Sequence, residues 1–216
     1  MPELTLYSPR YDSVRVIQCS PPAWACAIVL ADKGLAHRVK RLSFEDGEHK
    51  TPEMLALNPR GTTPVLTDGD RVVHETVAIL QYLEDAYPDA PLMPTDLDGR
   101  ALALTRLHEA SGVKDAGMAL FRYMMRNPEG DRSPGQMASL LADLKAELNH
   151  WERYYSASEW SAGEELTLGD ILVLVYVATA VQLELGVLDG LPRLQDAYEA
   201  FRYRRSVSNS WPQTWS

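Results

Sequence analysis

The sequence predicts a chain in two parts, an α+β unit over residues 1–90 joined to an all-helical bundle over residues 99–216. Three observations predict it. The first ninety residues switch repeatedly between short β-like runs and helix-like segments, and everything after residue 97 is helical in pattern. Between them, "PDAPLMPTDLD" (88–98) carries three prolines and reads as a linker.

In the first part, either "LTLY" (4–7) or "VRVIQ" (14–18) opens the β-structure. "PAWACAIVLADKG" (22–34) reads as a helix stopped by Gly34, and "HRVKRLSF" (37–44) as a strand. "TPEMLALNP" (51–59) opens as a helix, with Thr51 at the N-cap and Pro52 in the first turn. "PVLTDGDRVVH" (64–74) is a hairpin turning at Asp68-Gly69. In "ETVAILQYLEDAYP", Val77, Leu80 and Leu83 recur at helical spacing before Pro88 ends the helix. The order is β-α-β-α-β-β-α. Beyond the linker, helices are expected near 98–126, 136–155, from Thr167 onward and near 192–204, with a break at "NPEGDRSPG" (127–135). Thr167 and Asp170 have the spacing of a capping box.

Composition excludes several classes. With 216 residues, a net charge of -9, 45% hydrophobic and 24% charged residues, the chain is an ordinary globular sequence without long-range attraction to nucleic acid or anionic membranes. "MPELTLYSPR" has no basic segment followed by an apolar core, and "ILVLVYVATAV" (171–181) is too short to span a bilayer. Cys19 and Cys26 fit neither a disulfide framework, a CxxC pair nor a zinc site, so the expectation is a soluble cytoplasmic protein in a reducing compartment.

Pro64, in "LNPRGTTPVL" (57–66), stands where a strand begins, a poor place for a residue without an N–H. In this element order it resembles the proline of the thioredoxin fold, which is cis and holds the preceding backbone open to a ligand. Here the preceding residue is Thr63, whose N–H and C=O would pair with a peptide-like ligand as an added strand does.

The stretch "GEHKTPEMLALNPRGTTPVLTDGDRVVHETVAILQYLEDAYP" (47–88) resembles the glutathione site of the soluble glutathione transferase family. "SPPAWACAIVLADKGL" (20–35), "RLSFEDGEHK" (41–50) and the tail "SVSNSWPQTWS" (206–216) extend the likeness toward rho-like transferases. Departures are Thr76 for the usual Ser, Thr63 for the usual aliphatic residue and about ten extra N-terminal residues. The resemblance implies a thioredoxin-like N-terminal domain, glutathione as co-substrate with no metal, a small hydrophobic electrophile as its partner in the reaction, and a homodimer.

Each part of glutathione asks for a different group. Glu75 and Thr76 begin a helix, where free N–H groups and the dipole would hold the γ-glutamyl carboxylate and Glu75 its ammonium. Lys50 and His49 suit the glycyl carboxylate. The thiol has to become a thiolate, which a hydroxyl donor at a helix start promotes. Ser20, followed by Pro21 and Pro22, occupies such a start, and the resemblance places the catalytic serine there. An N-cap serine without chemistry is the plain alternative. Cys19 is the other candidate, and it would make the protein a thiol transferase or reductase. Tyr7 lies where other transferases keep a catalytic tyrosine if "LTLY" is the first strand, but its distance to "DKGL" favours an ordinary strand aromatic. Met118, Phe121, Met125 and Arg126 form a helical cluster suited to apolar ligands and equally to plain core. A non-catalytic binding module of the same fold is the rival class.

Overall fold

A four-stranded mixed sheet in the order β2-β1-β3-β4 underlies the first unit of the chain. This computed structural model describes residues 3–10, 19–212 and 215. Strand β1 is Leu4–Pro9, so "LTLY" opens the sheet; "VRVIQ" lies outside the described residues. β1 pairs in parallel with β2 (His37–Leu42) and antiparallel with β3 (Val65–Asp68), and β3 forms a hairpin with β4 (Arg71–His74) across Gly69 and Asp70. Helix α1 is Pro21–Asp32, α2 is Pro52–Leu57 and α3 is Thr76–Ala86, with a 3-10 turn at Glu48–Lys50. The thioredoxin-like order β-α-β-α-β-β-α follows.

α1 is apolar around nearly its whole circumference because it is covered on more than one side, by β1 and by α3. Its Ala25, Cys26, Ile28, Val29 and Leu30 are sealed from solvent. Its C-terminus is fastened by buried Lys33, whose ammonium pairs with Glu84 at 2.7 Å and donates to the carbonyls of Tyr87 and Ala90 at 2.9 Å each. All three ammonium protons thereby find acceptors, which makes the burial of that charge tolerable. On β3, Asp68 accepts the hydroxyls of Tyr82 (2.6 Å) and Tyr87 (2.7 Å), tying the hairpin to α3. Burial and the bond to Asp68 push the Tyr87 phenol up to about 12.

The second unit contains α4 (Leu97–Arg126), α5 (Pro134–Ala157), α6 (Leu168–Gln182), α7 (Pro192–Arg202) and α8 (Arg205–Ser210). Among the described residues the chain divides between Pro91 and Leu92. α6 is buried from Leu168 to Ala180 and forms the axis of this unit, packed against α4 and α7. A buried stripe on α4, Ala103, Leu107, Ala110, Val113, Gly117, Leu120 and Met124, follows helical spacing. Gly117 permits the close approach, since a Cβ there would lie 2.8 Å from the Tyr176 ring. Phe121 stacks on Tyr176 with centroids 6.2 Å apart and belongs to this core. Among the described residues no helix is long and apolar enough to cross a membrane.

At the start of α6, the fully buried Asp170 organises three segments. Its carboxylate accepts the N–H and hydroxyl of Thr167 at 2.8 Å each, and the Tyr155 hydroxyl and Ser161 N–H at 3.0 Å each. Burial and the neighbouring Asp170 carboxylate raise the Tyr155 phenol well above its ordinary value. In the tail, Trp211 donates from its indole N–H to the Trp215 carbonyl at 3.2 Å, and the rings meet edge to face at 5.4 Å, with Trp215 buried.

Candidate glutathione site

The sheet register places Thr63, Pro64, Glu75 and Thr76 at one end of the first unit. Tyr7, Val65 and His74 form a row across β1, β3 and β4. Thr63 and Pro64 immediately precede Val65, and Glu75 and Thr76 immediately follow His74, so both pairs lie at this end. α1 is the crossover between parallel strands β1 and β2, and such a helix returns against the strand direction. Its N-terminus, with Ser20, therefore lies at the end where β1 finishes.

Ser20 is the N-cap of α1 with extended backbone (φ -103°, ψ 101°) and a proline in the first turn. Its carbonyl takes the first helical bond, from the Trp24 N–H at 2.8 Å. Its half-buried side chain accepts no capping bond, and among the described residues the hydroxyl has no hydrogen-bond partner. A serine whose role is to cap would spend its oxygen on the N–H of the second or third helical residue. Here the hydroxyl is available to another group.

Cys19 directly precedes Ser20, is 6% exposed, and is not in a disulfide. Cys26 is wholly buried in α1, and burial pushes its thiol far up, which leaves it an apolar core residue. Tyr7 packs partly buried against the cluster of Leu42, Met54 and Val65, with the Lys40 ammonium 5.5 Å from its ring.

The Thr63–Pro64 peptide bond is cis. Thr63 is half-buried, and neither its backbone N–H nor its C=O has a hydrogen-bond partner among the described residues. The loop before it is held by Asn58, which is completely buried: its amide donates to the Thr62 carbonyl (2.9 Å) and hydroxyl (3.0 Å), and its Oδ1 accepts the Arg60 N–H at 3.1 Å.

Glu75 is the N-cap residue of α3 with φ 72° and ψ 123°, a conformation disfavoured for a side chain, and it makes no capping bond. Thr76, at the first helical position, is buried. The first helical bond runs from the Ile79 N–H to the Glu75 carbonyl, so the N–H groups of Thr76, Val77 and Ala78 have no acceptor within the helix. Strained, non-glycine backbone at a helix start with free N–H groups is a recurrent signature of ligand sites.

His49 and Lys50 lie together on the 3-10 turn, before Thr51 caps α2 by accepting the Met54 N–H at 3.4 Å. The His49 ring stacks on Phe44 at 4.0 Å, and its Nδ1 is buried with no partner. Burial, reinforced by the Lys50 charge, holds its pKa below the ordinary 6.5. A neutral imidazole meets a carboxylate as a hydrogen-bond donor and not as a charge, which makes Lys50 the cation of the pair. Lys50 is exposed and donates to the Arg60 carbonyl at 3.0 Å. Gly61 makes room for it, since a Cβ there would come within 2.7 Å of the Lys50 side chain.

Arg60 is the residue the sequence reading did not single out. Its Nε stands 3.8 Å from Glu75 Oε1, linking the 58–62 loop to the start of α3. The signal available in the sequence was only "NPRG", which marks a turn and says nothing of its reach.

Fold and site together define a thioredoxin-like ligand-binding unit followed by a helical unit. Comparison with known proteins supplies the family. Residues 19–86 match the family model of the glutathione S-transferase N-terminal domain. The chain is 33% identical to glutathione S-transferase A of Pleuronectes platessa over 91% of its own length and 89% of that protein. A glutathione S-transferase from the Antarctic clam Laternula elliptica has the same fold, with a TM-score of 0.81 and 32% identity, covering 99% of this chain and 94% of that one. The glutathione transferase URE2P6 of Phanerochaete chrysosporium, solved with oxidized glutathione, aligns with a TM-score of 0.84 at 26% identity over 97% of this chain and 95% of its own. The chain belongs to the glutathione S-transferase family.

Proposed function

We propose that this protein is a glutathione transferase that uses the Ser20 hydroxyl to stabilise the glutathione thiolate and conjugates it to small hydrophobic electrophiles, working as a homodimer. The observation that carries the reading is Ser20 itself, an N-cap residue that does not cap. A hydroxyl donating to the thiolate lowers the thiol pKa from about 8.5, and the dipole of α1 acts in the same direction. The thiolate then attacks the electrophile; its sulfur lone pair forms the new bond and the leaving group departs with its electrons, or the electron pair moves onto an activated double bond.

The other residues bind and orient. Thr76 and the free N–H groups of α3 take the γ-glutamyl carboxylate, and Glu75 takes the ammonium. The Thr63 backbone pairs with the cysteinyl unit as a strand edge would, against Pro64. Lys50 holds the glycyl carboxylate, with His49 as a neutral donor beside it. Cys19 serves poorly as the nucleophile, since it is nearly inaccessible and lies one residue outside the helix start, where the dipole field fades within about a turn.

Conjugation of a chloronitrobenzene substrate across pH tests the reading. Ser20→Ala should slow conjugation near neutral pH and recover partly as pH rises, when the thiol ionises unaided. Cys19→Ser should keep the activity. A Ser20→Ala variant at wild-type rates across pH, with Cys19→Ser inactive, would transfer the role to Cys19. A wild-type protein that binds glutathione without turnover would mark a binding module.

A further inference from the structure

We infer that Arg60 is a specificity residue of the glutathione site, forming with Glu75 a charge pair that reads the zwitterionic amino-acid head of the γ-glutamyl group. The inference rests on the glutathione reading above and extends it to a residue outside that set. Arg60 Nε and Glu75 Oε1 are 3.8 Å apart, a separation of ion pairing without a hydrogen bond. Both side chains are mostly exposed, so their remaining donors and acceptors face solvent. An α-amino acid carries an ammonium and a carboxylate on the same carbon. Laid antiparallel against the Arg60–Glu75 pair, it meets an opposite charge at each end: the ammonium at Glu75, and the carboxylate at the guanidinium, which joins Thr76 and the α3 N–H groups as a further donor to it.

The loop holds Arg60 in position to do this. Its N–H is bonded to Asn58 Oδ1 at 3.1 Å, its carbonyl takes the Lys50 ammonium at 3.0 Å, and the next N–H, of Gly61, returns to the Asn58 carbonyl at 2.8 Å. The side chain is therefore launched from a fixed backbone, and only its own rotamers are left to order. Arg60 adds a cation directly beside Glu75. What separates this pair from an incidental surface contact, which by itself contributes little, is its place: Glu75 is followed directly by Thr76 and by the α3 N–H groups that have no acceptor within the helix.

Calorimetric titration of the full-length chain with three ligands tests it: glutathione, the analogue with 4-aminobutyrate in place of the γ-glutamyl residue (ammonium kept, carboxylate lost), and the glutaryl analogue (carboxylate kept, ammonium lost). Arg60→Gln should weaken glutathione and the glutaryl analogue about three- to fivefold, the scale of an exposed ion pair, and leave the 4-aminobutyryl analogue unchanged. Glu75→Gln should show the mirror pattern, losing affinity for the 4-aminobutyryl analogue and not for the glutaryl one. The backbone bonds of residue 60 survive substitution, and an unchanged melting curve confirms it. Equal loss on all three ligands, no loss on any, or tighter glutathione binding by Arg60→Gln overturns the inference while leaving glutathione binding standing. A wild-type chain that binds none of the three overturns the glutathione reading itself.

Discussion

Replacing Glu75 by glycine should uncouple stability from binding. The residue sits at φ 72° without a capping bond, a conformation that costs a side chain of order 1–3 kcal/mol and glycine nothing. Against that relief stands the extra freedom of glycine in the unfolded chain, about 0.5–1 kcal/mol. The variant also gives up an exposed pairing with Arg60, worth at most about 1 kcal/mol. The sum runs from a loss of about 1 kcal/mol to a gain of about 2.5 kcal/mol. Binding should fall whichever way stability moves. Loss of a charge-assisted contact to the ligand ammonium removes about 1.5–3 kcal/mol. Because Glu75 is 58% exposed in the unliganded protein, the low end applies, about a tenfold rise in the glutathione Kd. Urea denaturation gives the first quantity and calorimetry the second, with Glu75→Gln as the control that keeps the strained backbone and loses the charge. A Glu75→Gly protein that is less stable by more than about 1 kcal/mol and binds glutathione normally would mean that the carboxylate serves the fold and not the ligand.

Three further outcomes are expected. Asp170→Asn should destabilise the protein by about 2–5 kcal/mol, because an amide nitrogen would face two of the four buried donors that the carboxylate now satisfies; a loss below about 1 kcal/mol in chemical denaturation would contradict that. Glu184, at φ 54° just past the C-terminus of α6, should be replaceable by glycine with a gain of about 0.5–1 kcal/mol, read from the unfolding midpoint, and a loss would show the left-handed backbone to be unstrained there. Burial, then the Lys50 charge, lowers the pKa of His49, so its neutral form is the one the fold favours. The associated stability is present above the unfolded value of 6.5 and is lost as pH falls through the lower folded value. An NMR titration should place His49 below 6.5, and a midpoint at or above it would refute the desolvated setting.

What the sequence made legible was local. The α1 start at Ser20-Pro21, the Thr51 cap, the hairpin at Gly69 and the Thr167/Asp170 spacing each lie within a few residues of the group they bond, and each was readable as a pattern. The opening strand was ambiguous because "LTLY" and "VRVIQ" carry the same alternation, and pairing with partners more than thirty residues away decides between such segments. α8 was missed because "RSVSNS" has serines where helical signal would stand. Contacts between distant side chains were invisible: Lys33 reaching Glu84 and residues 87 and 90, Asp68 receiving two tyrosines, Asn58 buttressing its loop and Arg60 meeting Glu75. Such meetings depend on chain packing, and no spacing rule encodes them. The strain at Glu75 was equally hidden, since nothing in "HETV" announces a positive φ.

The role of the uncapped Ser20 hydroxyl is tested most directly by ultraviolet difference titration of the bound glutathione thiolate in the wild-type chain and in Ser20→Ala. The wild-type complex should titrate clearly below the free-thiol value of about 8.5, and Ser20→Ala should return most of the way toward it. Identical midpoints in the two proteins would contradict thiolate stabilisation by Ser20.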